Sequence, residues 1–201
     1  MQTITALQKT SQQPANYIHK MVECITTPKN KILSQWTVEQ LHILPYQHIL
    51  EIGFGLGNTI REVANKLQVG FIAGTDESVD MFQQASKKNK IHLQKELMQL
   101  HIGTANELPY PPQYFHSIYT TVNYAAWKEP EYKFMQLQKF LKTGGRLVTV
   151  FQPKFAKTEK ELWNAAEKIQ NEYHEAGLTD IRISFRDMSP VNAIAAVGFK
   201  E

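Results

Sequence analysis

A single cysteine, Cys24, in 201 residues excludes an intrachain disulfide and a cysteine cluster for zinc, and makes a reducing compartment the economical expectation. No apolar run approaches the roughly 18 residues a membrane span requires, and Met1 to Gln13 lack the apolar core of a signal peptide. A cytoplasmic protein without a membrane span is expected. Neither a Gly-x-Ser-x-Gly elbow nor a P-loop lysine motif is present, so hydrolase and NTPase chemistry lack their minimal residues. Charge of one sign is also scarce: the net charge is +3 with a pI near 8.8, and the Lys and Arg are scattered rather than gathered into a stripe. No nucleic-acid partner is expected. The cluster Lys87-Lys88-Asn89-Lys90 reads as the cationic end of a helix. His42, His48, His92, His101, His116 and His174 show no paired ligand spacing with acids, and His19 lies alone. No metal is expected.

What is present suits one globular domain: 42% of residues are hydrophobic and 20% charged. Its organising stretch is Ile49 to Thr59, a short apolar run that breaks at Gly53, Gly55 and Gly57 and restarts as a helix. Ile49, Leu50 and Ile52 suit a strand buried on both faces of a parallel sheet, and the glycines let a ligand approach the main chain. Thr59 and Glu62 are spaced as a capping box, with Ile60, Val63, Ala64 and Leu67 on one helix face and the N-terminal amides turned to the ligand. A dinucleotide turn wants G-x-G-x-x-G; here the spacing is G-x-G-x-G, with Asn58 in place of the third fingerprint glycine. Glu51, two positions before Gly53, would oppose a pyrophosphate but suits a cationic ligand.

The pattern Glu51-x-Gly53-x-Gly55-x-Gly57 resembles the first motif of class I S-adenosylmethionine (SAM)-dependent methyltransferases, and Asn30 to Trp36 followed by Leu41 looks like the helical lead-in of the ubiquinone-biosynthesis-type, small-molecule members. The resemblance implies that the glycine loop lies against the methionine part of SAM, with Glu51 near it. A second apolar run, Gly70 to Asp76, ends in an acid 19 positions beyond Gly57, where a carboxylate can accept hydrogen bonds from both ribose hydroxyls of an adenosine cofactor. Capping of the next helix, which starts near Ser78 with Val79, Phe82 and Ala85 inward, is the other reading of Asp76. After a third strand, Leu97 to Ile102, the segment Gly103-Thr104-Ala105 stands where family members commonly show Gly-Asp-Ala. There the resemblance implies adenine contacts, from the Thr104 oxygen to the amino group and from the Ala105 amide to a ring nitrogen.

Tyr114 to Asn123 reads as a fourth strand whose end, from Val122 to Trp127, opens beside the sulfonium. Asn123 and Tyr124 are the candidate acceptor-side catalytic residues, Asn123 to orient the acceptor and Tyr124 to hydrogen-bond it or exchange a proton. Trp127 is a candidate wall for the substrate; Tyr124 and Trp127 can equally be packing residues. A helix beginning at Pro130 puts Phe134, Leu137 and Leu141 on one face and closes at Lys142-Thr143-Gly144-Gly145, which looks like the family's leucine-lysine-proline-glycine-glycine turn before strand five.

Leu162, Ala165, Ala166, Ile169 and Tyr173 share a face of a long helix stopped by Gly177. The runs Ile181 to Phe185 and Val191 to Phe199 are separated by so short a link that they must be antiparallel. The expected fold is therefore α/β, a doubly wound Rossmann-like sheet of seven mostly parallel strands with an antiparallel C-terminal strand. Residues 1–44 are expected as a helical lid, broken at Pro28, with Tyr17, Met21 and Trp36 as candidate substrate contacts; residues 45–201 form the SAM-binding domain in one compact body. SAM is the expected cofactor, a small molecule the expected partner, and a monomer or homodimer the expected state. A SAM-binding regulatory module without turnover is the alternative of a different class; an NAD-type oxidoreductase is disfavoured by Glu51, Asn58 and the terminal hairpin.

Overall fold

The computed structural model describes residues 28–104, 107–121, 124, 127 and 129–201. Seven strands form one sheet in the order β3-β2-β1-β4-β5-β7-β6: β1 His48–Ile52, β2 Phe71–Asp76, β3 Met98–Ile102, β4 Phe115–Thr121, β5 Leu141–Phe151, β6 Thr179–Arg186 and β7 Ala193–Phe199. The first five strands pair parallel, and β7 runs antiparallel between β5 and β6. This is the seven-stranded α/β arrangement expected from the terminal hairpin.

The helices are α1 Pro28–Leu41, α2 Asn58–Ala64, α3 Val79–Lys88, α4 Lys90–Gln94, α5 Pro130–Phe140 and α6 Glu159–Glu175. Alternation along the strands sends side chains to two cores. Ile49, Ile72, Val148 and Val150 face one core with α1, α2 and α3, whereas Leu50, Ala73, Leu147 and Phe151 face the other with α5 and α6. On α2 the expected face of Ile60, Val63, Ala64 and Leu67 is buried, as are Leu162, Ala165, Ala166, Ile169 and Tyr173 along the α6 side.

Several local expectations are corrected. From Pro28 to Leu41 the chain is one continuous 14-residue helix rather than two short ones, and Pro28 opens it because a proline fits the first turn, where no intrahelical amide is needed. That helix packs on the sheet face over β4, β5 and β7 and beside α2, not on the sheet edge. Leu33, Trp36 and Leu41 enter the core, while Ile32 is exposed. The Thr59 and Glu62 capping box is not formed: Gly57 is the N-cap of α2, in left-handed geometry, and the nearly buried Thr59 hydroxyl donates to Ser34 Oγ on α1 at 2.8 Å. A capping box does form at α6, between Thr158 and Glu161. On α3 the buried residues are Met81 and Ala85, and Val79 is exposed.

The turn at 142–145 belongs to β5 rather than closing α5. Pairing with β4 jumps from Phe115 with Leu141 to Ser117 with Arg146, so a bulge accommodates these residues. The Gly144 amide donates to the Lys200 carbonyl at 2.7 Å, and the Lys200 amide to the Gly145 carbonyl at 2.9 Å, pinning the bulge to the end of β7.

If α1 is part of the core, Trp36→Ala should lower the unfolding free energy by about 3–5 kcal/mol, read as a fall in the urea midpoint. A loss below about 1 kcal/mol would make α1 a peripheral addition.

Candidate functional site

The strand order reverses between β1 and β4, and at such a switch point the loops leaving the carboxyl ends of neighbouring strands diverge and leave a crevice. Four of those ends stand side by side: the Gly103 turn after β3, Asp76 ending β2, the glycine loop after β1, and Thr121 ending β4. Glycine is required in the loop by its backbone, since Gly53, Gly55 and Gly57 have φ of 76°, 52° and 72°. At Gly57 a Cβ would also lie 2.5 Å from Asn89 Nδ2.

Hydrogen bonds stitch these ends together. The Gly53 amide donates to the Thr75 carbonyl at 2.7 Å and the Gly103 amide to the Asp76 carbonyl at 3.0 Å. The Asp76 carboxylate accepts from the Gly55 amide at 2.9 Å through Oδ2 and from the Ser78 amide at 3.0 Å through Oδ1. Asp76 thus joins the glycine loop to the start of α3, while Ser78 itself caps that helix by accepting from Met81. Phe54 and Leu56 turn from the loop into the core. On α1, Thr37 shares a 3.0 Å hydrogen bond with Thr121, so this helix supports the end of β4.

Glu51 gives the site its electrostatic character. It is 2% exposed, and Tyr119 donates to its Oε2 at 2.8 Å. Burial pushes its carboxyl up to about 8; the Tyr119 hydrogen bond opposes this, and the neighbouring Asp76 charge adds to it. Among the described residues no cation pairs with Glu51. A buried acid without a cation, beside a glycine loop open to a ligand, fits a positively charged guest such as SAM.

The expected site residues are distributed as follows. Glu51, Gly53, Gly55, Gly57, Asp76 and Thr104 converge on the row of strand ends. Thr104 is exposed, and its amide and hydroxyl both donate to Glu107 Oε2, at 3.0 and 3.3 Å. Tyr17, Met21, Ala105, Val122 and Asn123 lie outside the described residues. Trp36, expected against the substrate, is 6% exposed in the core, with Arg186 5.9 Å from its ring. Tyr124, expected on the acceptor side, is instead 7% exposed and donates to Glu172 Oε2 at 2.5 Å, between the rings of Phe134 and Phe151. Its ionisation is driven far upward by burial and by Glu172. Trp127 packs on Tyr124 and Phe134, with Lys133 5.1 Å from its ring.

Sequence reasoning missed three supporting residues. Asn89 is fully buried and donates to the carbonyls of Gly57 and Ala85 at 3.1 and 2.9 Å, although its Lys-rich neighbours mark it only as a helix end. Tyr119 looked like one more apolar strand residue. Glu107, three residues beyond Thr104, had a readable spacing signal of the Thr-x-x-Glu kind.

Comparison with known proteins agrees with this fold. Residues 49–145 match the family model described as "Methyltransferase domain". The chain is 27% identical over 177 residues, 88% of its length and 96% of the relative's, to "Uncharacterized methyltransferase YdaC" of Bacillus subtilis (strain 168). Its fold is similar to a SAM-dependent methyltransferase from Aquifex aeolicus, with a TM-score of 0.71, 14% identity, and coverage of 90% of this chain and 98% of that one. A phosphoethanolamine N-methyltransferase 2 from Haemonchus contortus, solved with phosphomonomethylethanolamine and S-adenosylhomocysteine, has a TM-score of 0.72 at 15% identity, covering 92% of this chain and 57% of that one.

Because the folded protein holds the Glu51 proton up to about pH 8 against an ordinary value of 4.5, its contribution to stability is complete below the ordinary value and is lost as pH rises through about 8. Glu51→Gln should remove that decline and leave the empty protein about 1–3 kcal/mol more stable than native at alkaline pH. Denaturant titrations of both proteins across this range check it; parallel curves would mean that Glu51 keeps an ordinary affinity for its proton.

Proposed function

We propose that the chain is a class I SAM-dependent methyltransferase with SAM as methyl donor, and that it methylates a small-molecule acceptor by in-line displacement, a reading supported by the match to the methyltransferase family model and by the methyltransferase-named relative. The observation that carries the reading is Glu51, a buried acid with no cation partner among the described residues, beside a glycine loop at the strand switch point.

When bound, SAM supplies an electrophilic methyl group on a sulfonium whose departure leaves a neutral thioether. The chain's residues then have to bind, align and exclude water, which are the main ways to lower the barrier of such a displacement. In our assignment the main chain of Gly53 to Gly57 takes the methionine portion and Glu51 balances its positive charge. Asp76, whose two oxygens each already accept one amide, retains lone pairs for the ribose hydroxyls. The family resemblance assigns Thr104 and Ala105 to the adenine edge, Val122 to the cofactor and Asn123 to the acceptor; of these only Thr104 is among the described residues. Tyr124 holds the segment after β4 against α6 through Glu172 instead of handling the acceptor proton.

Among similar folds, the Haemonchus contortus enzyme was solved with phosphomonomethylethanolamine, itself a small molecule. Among the described residues no helix is long and apolar enough to cross a membrane.

Calorimetry should show SAM and S-adenosylhomocysteine binding in preference to NAD, with Asp76→Ala weakening SAM by roughly 1.5–3 kcal/mol through lost charge-assisted hydrogen bonds. Incubation with labelled SAM and a metabolite extract should label a small product. Tighter binding of NAD overturns the donor, and label confined to macromolecules overturns the acceptor class.

A further inference from the structure

We propose that Tyr119 is a positioning residue of the cofactor site: its buried hydroxyl fixes the Glu51 carboxylate and lets it become negatively charged as a cationic cofactor arrives. The inference rests on the SAM reading above and concerns how the site accepts that charge.

The placement comes from strand register. Glu51 on β1 and Tyr119 on β4 are direct partners in the parallel pairing, so their side chains emerge next to each other on one sheet face. Tyr119 is fully buried and Glu51 nearly so, and the hydrogen bond between them measures 2.8 Å. A phenylalanine would fill the same core volume, so the hydroxyl is what distinguishes this position.

The other groups acting on the pair are all acids. Asp76 at the end of β2 acts on Glu51, and Glu62 on α2 acts on Tyr119. Thr37 on α1 and Thr121 on β4 are occupied with each other. Tyr119 donates to Glu51 while the neighbouring acid opposes a charge there, and burial holds the carboxyl toward its neutral form. A guest with ammonium and sulfonium groups reverses that balance. The Glu51 proton then leaves to solvent, the O–H bond of the carboxylic acid breaking heterolytically while the Tyr119 proton stays on its oxygen and continues to donate. Without the Tyr119 hydroxyl the carboxylate keeps its place in the strand but loses the donor that orients it and stabilises its charge.

The test is SAM affinity by calorimetry for the native protein, Tyr119→Phe, Glu51→Gln and the double variant, between about pH 6 and pH 9. SAM's own amino group titrates in this range, so each profile is read as its difference from Glu51→Gln. The native difference should rise with pH and level off above about 8. Tyr119→Phe should bind about tenfold more weakly near neutral pH, with its rise displaced to higher pH, and the double variant should bind no more weakly than Glu51→Gln alone. An equal loss from Tyr119→Phe in both backgrounds would reduce Tyr119 to packing and overturn the inference. A flat native difference overturns it as well, even if Tyr119→Phe fails to fold. Native protein that binds SAM with either result leaves the cofactor reading standing; native protein that does not bind SAM removes both.

Discussion

The Asp76 carboxylate is the joint on which the site depends. It ends β2, yet it receives the Gly55 amide from the loop after β1 and the Ser78 amide at the start of α3. The Asp76 carbonyl also accepts from Gly103 after β3. Three chain segments with little sequence proximity are thereby held at one place, and the glycine loop keeps left-handed angles that an ordinary residue would resist. Asn89 ties the same loop to α3 by donating to the carbonyls of Gly57 and Ala85.

Polar side chains inside the two cores follow a common rule. Burial of a phenol or carboxylate is costly unless hydrogen-bonded, and four buried pairs meet this need, Tyr119 with Glu51, Tyr124 with Glu172, Tyr173 with Thr149 and Thr37 with Thr121, whereas the Ser117 and Thr120 hydroxyls on β4 find no partner among the described residues. Each pair joins two elements, and two of them involve β4, the strand beside the switch point. The pairs differ in what they face. Glu172 has Lys168 3.8 Å away, whereas Glu51 has only acids acting on it beyond Tyr119. Among the described residues Glu172 thus has a cation beside it and Glu51 does not.

Much of this was legible in the chain. The apolar run before Gly53, the acid at Asp76, the glycine stop at Gly177 and the short link between the last two strands are local signals, and local signals survive because strand burial, positive φ and hairpin length are decided within a few residues. They determined the order of elements, the seven-stranded sheet with its antiparallel terminal strand, and the glycine loop that Glu51 precedes and Asp76 joins.

Tertiary structure alone decided which face each amphipathic residue found and which polar groups met. Thr59 and Glu62 have capping-box spacing, but Ser34 on another helix takes the Thr59 hydroxyl. Trp36 and Tyr124 have the chemistry of ligand contacts, but the sheet and α6 enclose them. Tyr119 reads as an apolar strand residue until register puts it opposite Glu51. Such outcomes depend on contacts between residues as far as 68 positions apart, and no local periodicity encodes a partner supplied by another strand.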